Sequence, residues 1–137
     1  MEDNVKNDKS GDQPYRILLA EDNEANQFLI KAITKNENWD ITVVDDGEKA
    51  VEEFKNNDFD LILMDVQMPV MNGYEATRII REMEKGKGIR TPIIALTAFA
   101  MKSDKDLCFD AGMDDYISKP FKRQQFLDAV AAKLETL

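Results

Sequence analysis

LILMDVQMPVMNG, residues 61–73, decides how the chain is read. An apolar run stops at Asp65, and a polar stretch broken by Pro69 and closed by Gly73 follows. A short, near-continuous apolar run suits a strand covered on both faces, as in a parallel sheet. Such a strand would deliver a carboxylate at its end, where the chain turns away. Residues 15–20, 41–44, 92–97 and 116–118 repeat the apolar, β-branched pattern of residues 61–64.

Longer mixed segments separate these runs, and their apolar residues recur at helical spacing. Residues 25–35 place Leu29, Ala32 and Ile33 on one side, and residues 48–55 group Ala50, Val51 and Phe54. Residues 74–83 align Thr77, Ile80 and Met83, and residues 123–134 align Phe126, Leu127, Val130 and Leu134. Asp45 stands three before Glu48, and Asn72 three before Glu75, the spacing of a capping box. Gly112 can close the helix that begins near Ser103, and Gly86-Lys87-Gly88 reads as a surface connection. Five strands alternating with five helices predict an open α/β domain with right-handed crossovers. The helix over residues 102–110 is the weakest. Its first turn is almost wholly charged, and its apolar anchors are Leu107, Cys108 and Phe109, followed by Ala111. A thinly anchored helix is a candidate moving part.

The totals narrow the function classes. The chain has 137 residues, which favours one domain with a real core. A net charge of -9 argues against a nucleic-acid ligand. Cys108 is the single cysteine and there is no histidine. Zinc sites and His-based acid–base catalysis become improbable, and a Ser-His-Asp triad is excluded within this chain. No apolar run approaches the roughly 20 residues that span a bilayer. The start of the chain is polar and lacks the apolar segment of a signal peptide. Residues 1–14 are therefore expected to form a disordered tail ahead of a domain over 15–137, and the protein is expected to be cytoplasmic.

In an open parallel sheet, ligands sit outside the carboxyl ends of the strands. There the first strand would deliver Glu21 and Asp22, the third Asp65 and the fourth Thr97, with Lys119 close behind the fifth. Three neighbouring carboxylates repel one another, and one would normally hold a proton. A hard divalent cation removes that conflict. Oxygen ligands without His or Cys point to Mg2+, with Mn2+ or Ca2+ as substitutes. Lys119 offers a point charge for a phosphoryl oxygen and Thr97 a hydroxyl donor. Together they predict phosphoryl transfer with Asp65, already ionised, as the nucleophile and an acyl phosphate as the product. Taken singly, each residue has a plainer explanation. Asp22 and Asp45 could cap helices, Thr97 could be an ordinary strand residue, and Lys119 a solvated charge. The signal lies in four of five strand ends supplying matched groups.

These residues resemble a known family. LLAEDN (18–23), LMDVQMPVMNG (63–73), ALTA (95–98) and DYISKPF (115–121) are similar, in order and spacing, to the receiver domain of two-component response regulators. EDNEANQ (21–27) looks most like receivers attached to hybrid sensor kinases or used in phosphorelays. The resemblance implies a flavodoxin-like (βα)5 fold, a doubly wound parallel sheet in the order 2-1-3-4-5. It makes Asp65 the phosphoacceptor, with Mg2+ held by Asp22, Asp65 and the Gln67 backbone carbonyl, and by Glu21 through water. It has Lys119 and Thr97 contact the phosphoryl group and a cis peptide between Lys119 and Pro120. It makes Thr97 and Tyr116 the switch that reshapes the surface of the fourth helix, fifth strand and fifth helix. Gln67 and Phe99 flank the site, at positions where receivers vary. The implied donor is a histidine kinase or a histidine phosphotransfer protein, and the implied output a phosphorylation-dependent homodimer or a downstream effector.

Such a domain catalyses only its own phosphorylation and slow hydrolysis. It occurs alone or as a piece of a hybrid histidine kinase, and either is open here. The competing reading is a small Mg2+-dependent phosphatase or phosphotransferase with an Asp nucleophile. The haloacid-dehalogenase kind places a second Asp two residues after the nucleophile, where this chain has Gln67. A flavin carrier would need a Ser/Thr/Gly-rich loop after the first strand, and the acidic EDNE there would repel a flavin phosphate. A degenerate receiver used only for binding would be expected to lack some of these groups.

Overall fold

The computed structural model describes residues 13–98 and 101–135. Except for Gln13 and Pro14, the tail expected over residues 1–14 lies outside the described residues, as does Phe99.

The five strands are β1 (Tyr15–Ala20), β2 (Trp39–Val44), β3 (Leu61–Asp65), β4 (Ile93–Thr97) and β5 (Asp115–Ser118). The helices are α1 (Glu24–Thr34), α2 (Gly47–Asn56), α3 (Gly73–Lys85), α4 (Lys102–Ala111) and α5 (Arg123–Leu134). All strand pairs are parallel and the order is β2-β1-β3-β4-β5, as the resemblance implies. Every residue of β3 and β4 is buried, so period-2 side chains feed two cores instead of one core and solvent. Ile17, Leu19, Leu61, Leu63, Ile94 and Leu96 pack with Ile30 and Ile33 of α1 and with Phe126, Val130 and Leu134 of α5. Leu18, Ala20, Ile62, Met64, Ile93 and Ala95 pack on the other face with Phe54 of α2, Ile80 of α3 and Cys108 of α4. Burying one such side chain contributes about 1.5–3 kcal/mol, so the paired cores make the sheet a rigid support.

Asn72 forms the expected capping box with Glu75, and Gly112 closes α4 at φ 107°. Two expectations are corrected. The cap of α2 is Asp46, which accepts from Lys49 N at 2.7 Å, and the exposed Asp45 pairs instead with Lys49 Nζ. In α1, Leu29 and Ala32 face solvent, and the buried residues are Ile30, Ile33 and Thr34. That helix carries two apolar stripes, and spacing alone does not say which one the sheet covers.

Candidate functional site

The carboxyl ends of β1, β3 and β4 and the residue after β5 open on one pocket of about 300 Å3. Glu21, Asp22, Asp65, Gln67, Thr97 and Lys119 line it, with Asn23 and Asn26 at the start of α1. The sheet register produces this convergence. Ala20 lies beside Met64 and Asp65 beside Leu96, so each strand's next polar residue emerges at the same edge.

The backbone around Asp65 is pinned. Val66 N donates to Leu96 O at 3.1 Å and Gly73 N donates to Val66 O at 2.9 Å. Gly73 is required here: a Cβ at that position would run into the Asp65 carbonyl oxygen. The absent side chain lets α3 start directly against the end of β3.

The structure also removes the plainer explanations of Asp22 and Lys119. Asn23, not Asp22, caps α1, accepting from Asn26 N at 2.9 Å. Asp22 is thus left exposed at the pocket. Thr97 is the last residue of β4, and Lys119 donates its backbone N–H to Thr97 O at 2.7 Å. The side chain of Lys119 is no solvated charge. Its Nζ lies 2.9 Å from Glu21 Oε1 and 3.2 Å from Asp65 Oδ2. Glu21 is fully buried, and the Lys119 ammonium is the cation that faces its Oε1. Oε2 accepts from Asn23 N at 3.1 Å. The Lys119–Pro120 peptide is cis.

Electrostatics follow from this crowding. Burial, and then the neighbouring Glu21 charge, push the Asp65 carboxyl up to about 7, against the pull of Lys119. Asp65 is thus the carboxylate of the three on which crowding retains a proton when no cation is present. Burial disfavours the Lys119 ammonium, but its contacts with Glu21 and Asp65 outweigh this and hold it above its ordinary range. Glu21, Asp22 and Asp65 each offer an oxygen, all within 4.8 Å of one another. That set fits a hard divalent cation: it holds only oxygens, it is overcharged, and one side is open to water through Asp22.

A family model described as the response regulator receiver domain matches residues 17–131. The chain belongs to that family. As a receiver it is 43% identical over 132 residues to hybrid signal transduction histidine kinase I of Dictyostelium discoideum, covering 91% of this chain and 8% of that protein. It is 40% identical over 116 residues to sensor histidine kinase GacS of Pseudomonas protegens, covering 84% and 13%. This receiver therefore spans a small fraction of the length of those relatives. Among solved structures, it is similar to the receiver domain of sensor histidine kinase PA1611 from Pseudomonas aeruginosa PAO1. The TM-score is 0.80 at 44% identity, covering 88% of this chain and 98% of that one, and a magnesium ion is coordinated in that protein's active-site cleft. The signal receiver domain of a signal transduction histidine kinase from Syntrophus aciditrophicus matches at TM-score 0.79 and 29% identity, covering 90% and 92%.

Sequence reasoning did not single out Asn26, whose side chain the fold brings to the pocket rim of this receiver. The only signal was its position three residues after the cap Asn23, on the turn of α1 nearest the site. Tyr116 is not among the pocket residues. It lies on the α4 side of β5, half-buried.

Proposed function

We propose that this receiver takes a phosphoryl group from a phosphohistidine donor onto Asp65. The observation that carries the reading is the buried Asp65 carboxylate held between two further carboxylates and the Lys119 ammonium. Asp22, Asp65 and the Gln67 carbonyl would hold Mg2+ directly, and Glu21 through water. The ion supplies positive charge that lets three carboxylates and a phosphoryl group share one pocket. An Asp65 carboxylate oxygen attacks phosphorus, the bond from phosphorus to imidazole nitrogen breaks, and imidazole leaves, so an acyl phosphate results. Lys119 moves from pairing with Asp65 to pairing with a phosphoryl oxygen, and Thr97 donates to another. Thr97 and Tyr116 then act as the switch, shifting the population of the α4-β5-α5 surface toward a state that a downstream effector or a second copy of the receiver binds. The receiver unit covers residues 15–137.

An exposed apolar stripe beside the pocket supports a docking face for the donor. Ala25, Phe28, Leu29 and Ala32 form an exposed stripe along α1, with Phe28 76% exposed. A stripe at i, i+3, i+4 and i+7 suits an apolar helix of the histidine kinase or histidine phosphotransfer protein that presents the phosphohistidine. Among the described residues no helix is long and apolar enough to cross a membrane. The reading places the receiver in the cytoplasm, where such donors work.

Incubation with acetyl phosphate and Mg2+ is expected to add one phosphoryl group by intact mass. The adduct should vanish with EDTA and in Asp65→Asn. Absence of the adduct in the wild type, together with no binding of Mg2+ and beryllofluoride, would sink the proposal.

A further inference from the structure

Tyr116 is held by two residues of α4. Lys105 Nζ sits 4.8 Å from the centroid of the Tyr116 ring. The Phe109 ring meets it edge-on, with centroids 6.4 Å apart and planes at 80°. Lys105 and Phe109 are four residues apart and so share one face of the helix. Neither contact is explained by the core. Phe109 is 48% exposed, and Lys105 makes no ion pair among the described residues, although its helix carries Asp104, Asp106 and Asp110.

The anchoring of α4 is lopsided. At its C-terminal end Cys108 and Ala111 are buried, and Gly112 O accepts from Arg81 Nε at 2.8 Å. At its N-terminal end the cap residue Met101 is 72% exposed, and its backbone N–H is held by a long, exposed bond to Asp104 Oδ2 at 3.3 Å. This loose end adjoins the chain leaving Thr97, and Thr97 lies opposite Ser118, next to Lys119. Through the Tyr116 ring the exposed face of α4 touches β5.

We propose that Lys105 and Phe109 clamp Tyr116 in its resting position and thereby set how much of the switched state is populated before phosphorylation. The proposal rests on the reading of Tyr116 as part of the switch. The clamp opposes any movement of the Tyr116 ring from this position, because the ring must leave an ammonium and an aromatic edge together. Release leaves α4 fixed near Gly112 and free to pivot at its other end. An exposed cation–π contact is of a size to bias the equilibrium about twofold to fivefold, and the ring pair by a similar factor.

The test uses the full chain labelled with 3-fluorotyrosine, with the Tyr116 fluorine resonance assigned by Tyr116→Phe. In the wild type that resonance is expected to move when Mg2+ and beryllofluoride bind. In Lys105→Met without ligand it should already lie partway along that path, and beryllofluoride should bind about twofold to fivefold more tightly. Phe109→Leu should shift it in the same direction. Lys105→Arg keeps a cation over the ring and should restore the wild-type position, which a merely structural role for Lys105 would not require. A wild-type resonance that moves while Lys105→Met and Phe109→Leu match the wild type overturns the clamp alone. A wild-type resonance that stays put with beryllofluoride bound overturns the Tyr116 switch and the clamp together. No binding by the wild type overturns the proposed function itself.

Discussion

Asp65 carries an unfavourable burial that its neighbours only partly offset, and the consequence can be measured. Its carboxyl in the folded protein titrates near 7, against an ordinary value of 3.8. The metal-free folded state thus holds the proton more tightly than the unfolded chain. Stability therefore falls as pH rises from about 4 to about 7 and is flat above that, as far as this group is concerned. Asp65→Asn removes the effect. In EDTA its gain over the wild type is expected to be larger at pH 8 than at pH 5, by on the order of 1–2 kcal/mol by urea unfolding, a figure discounted because Lys119 loses a partner. Equal gains at both values would contradict the burial argument. The same proton competes with the cation. Mg2+ affinity by calorimetry should rise about tenfold per pH unit below 7 and level off above it. This residue and its companions were legible because each ends an apolar strand or closely follows one. Which of the three carboxylates retains the proton was not, because that depends on how deeply Glu21 and Asp65 are buried side by side.

At the scale of elements, the strands and helices follow from periodicity, and the corrections fall where periodicity is silent. In α1, Leu29 and Ala32 belong to the exposed stripe and Ile30 to the buried one. Both stripes are apolar, so only the sheet beneath chooses between them. Two adjacent aspartates at the start of α2 offered two caps, and the backbone turn selected Asp46 over Asp45. The connection from β3 to α3 holds a further feature that the sequence did not signal. Val70 adopts φ 70°, in the left-handed region that a β-branched residue disfavours. It is exposed, so its side chain contributes little packing to offset that strain. Val70→Asn is expected to stabilise the protein by about 0.5–1 kcal/mol in urea unfolding, since Asn tolerates this conformation. Destabilisation would show that Val70 packs against the turn after all.

Across the whole molecule, the edge opposite the Asp65 pocket is tied by Arg81. It donates to Glu84 Oε1 at 2.6 Å and to Thr91 O, Gly112 O and Asp114 Oδ2, each at 2.8 Å. Glu84 in turn accepts from Thr91 N, and Asp114 from Ile93 N. One guanidinium thus joins the ends of α3 and α4 to the entries of β4 and β5. Arg81→Met would leave two largely buried carboxylates without this partner. It is expected to cost about 3–5 kcal/mol in urea unfolding, while beryllofluoride still binds at low temperature because the pocket lies at the other edge. A loss below about 1 kcal/mol would mean that Arg90 and solvent satisfy both acids. Nothing in the sequence beside Arg81 signals this tie, since Gly112 and Asp114 lie more than thirty residues away. The sequence by itself determined the alternation of five strands and five helices and the polar group at each strand end. Those depend on local periodicity and on the abrupt change from apolar to polar residues. Only the tertiary structure decided which stripe of α1 is covered, that Asp65 titrates near 7, and that Arg81 closes the far edge. Burial and ion pairing are set by the distance between groups in space, and chain order does not record it.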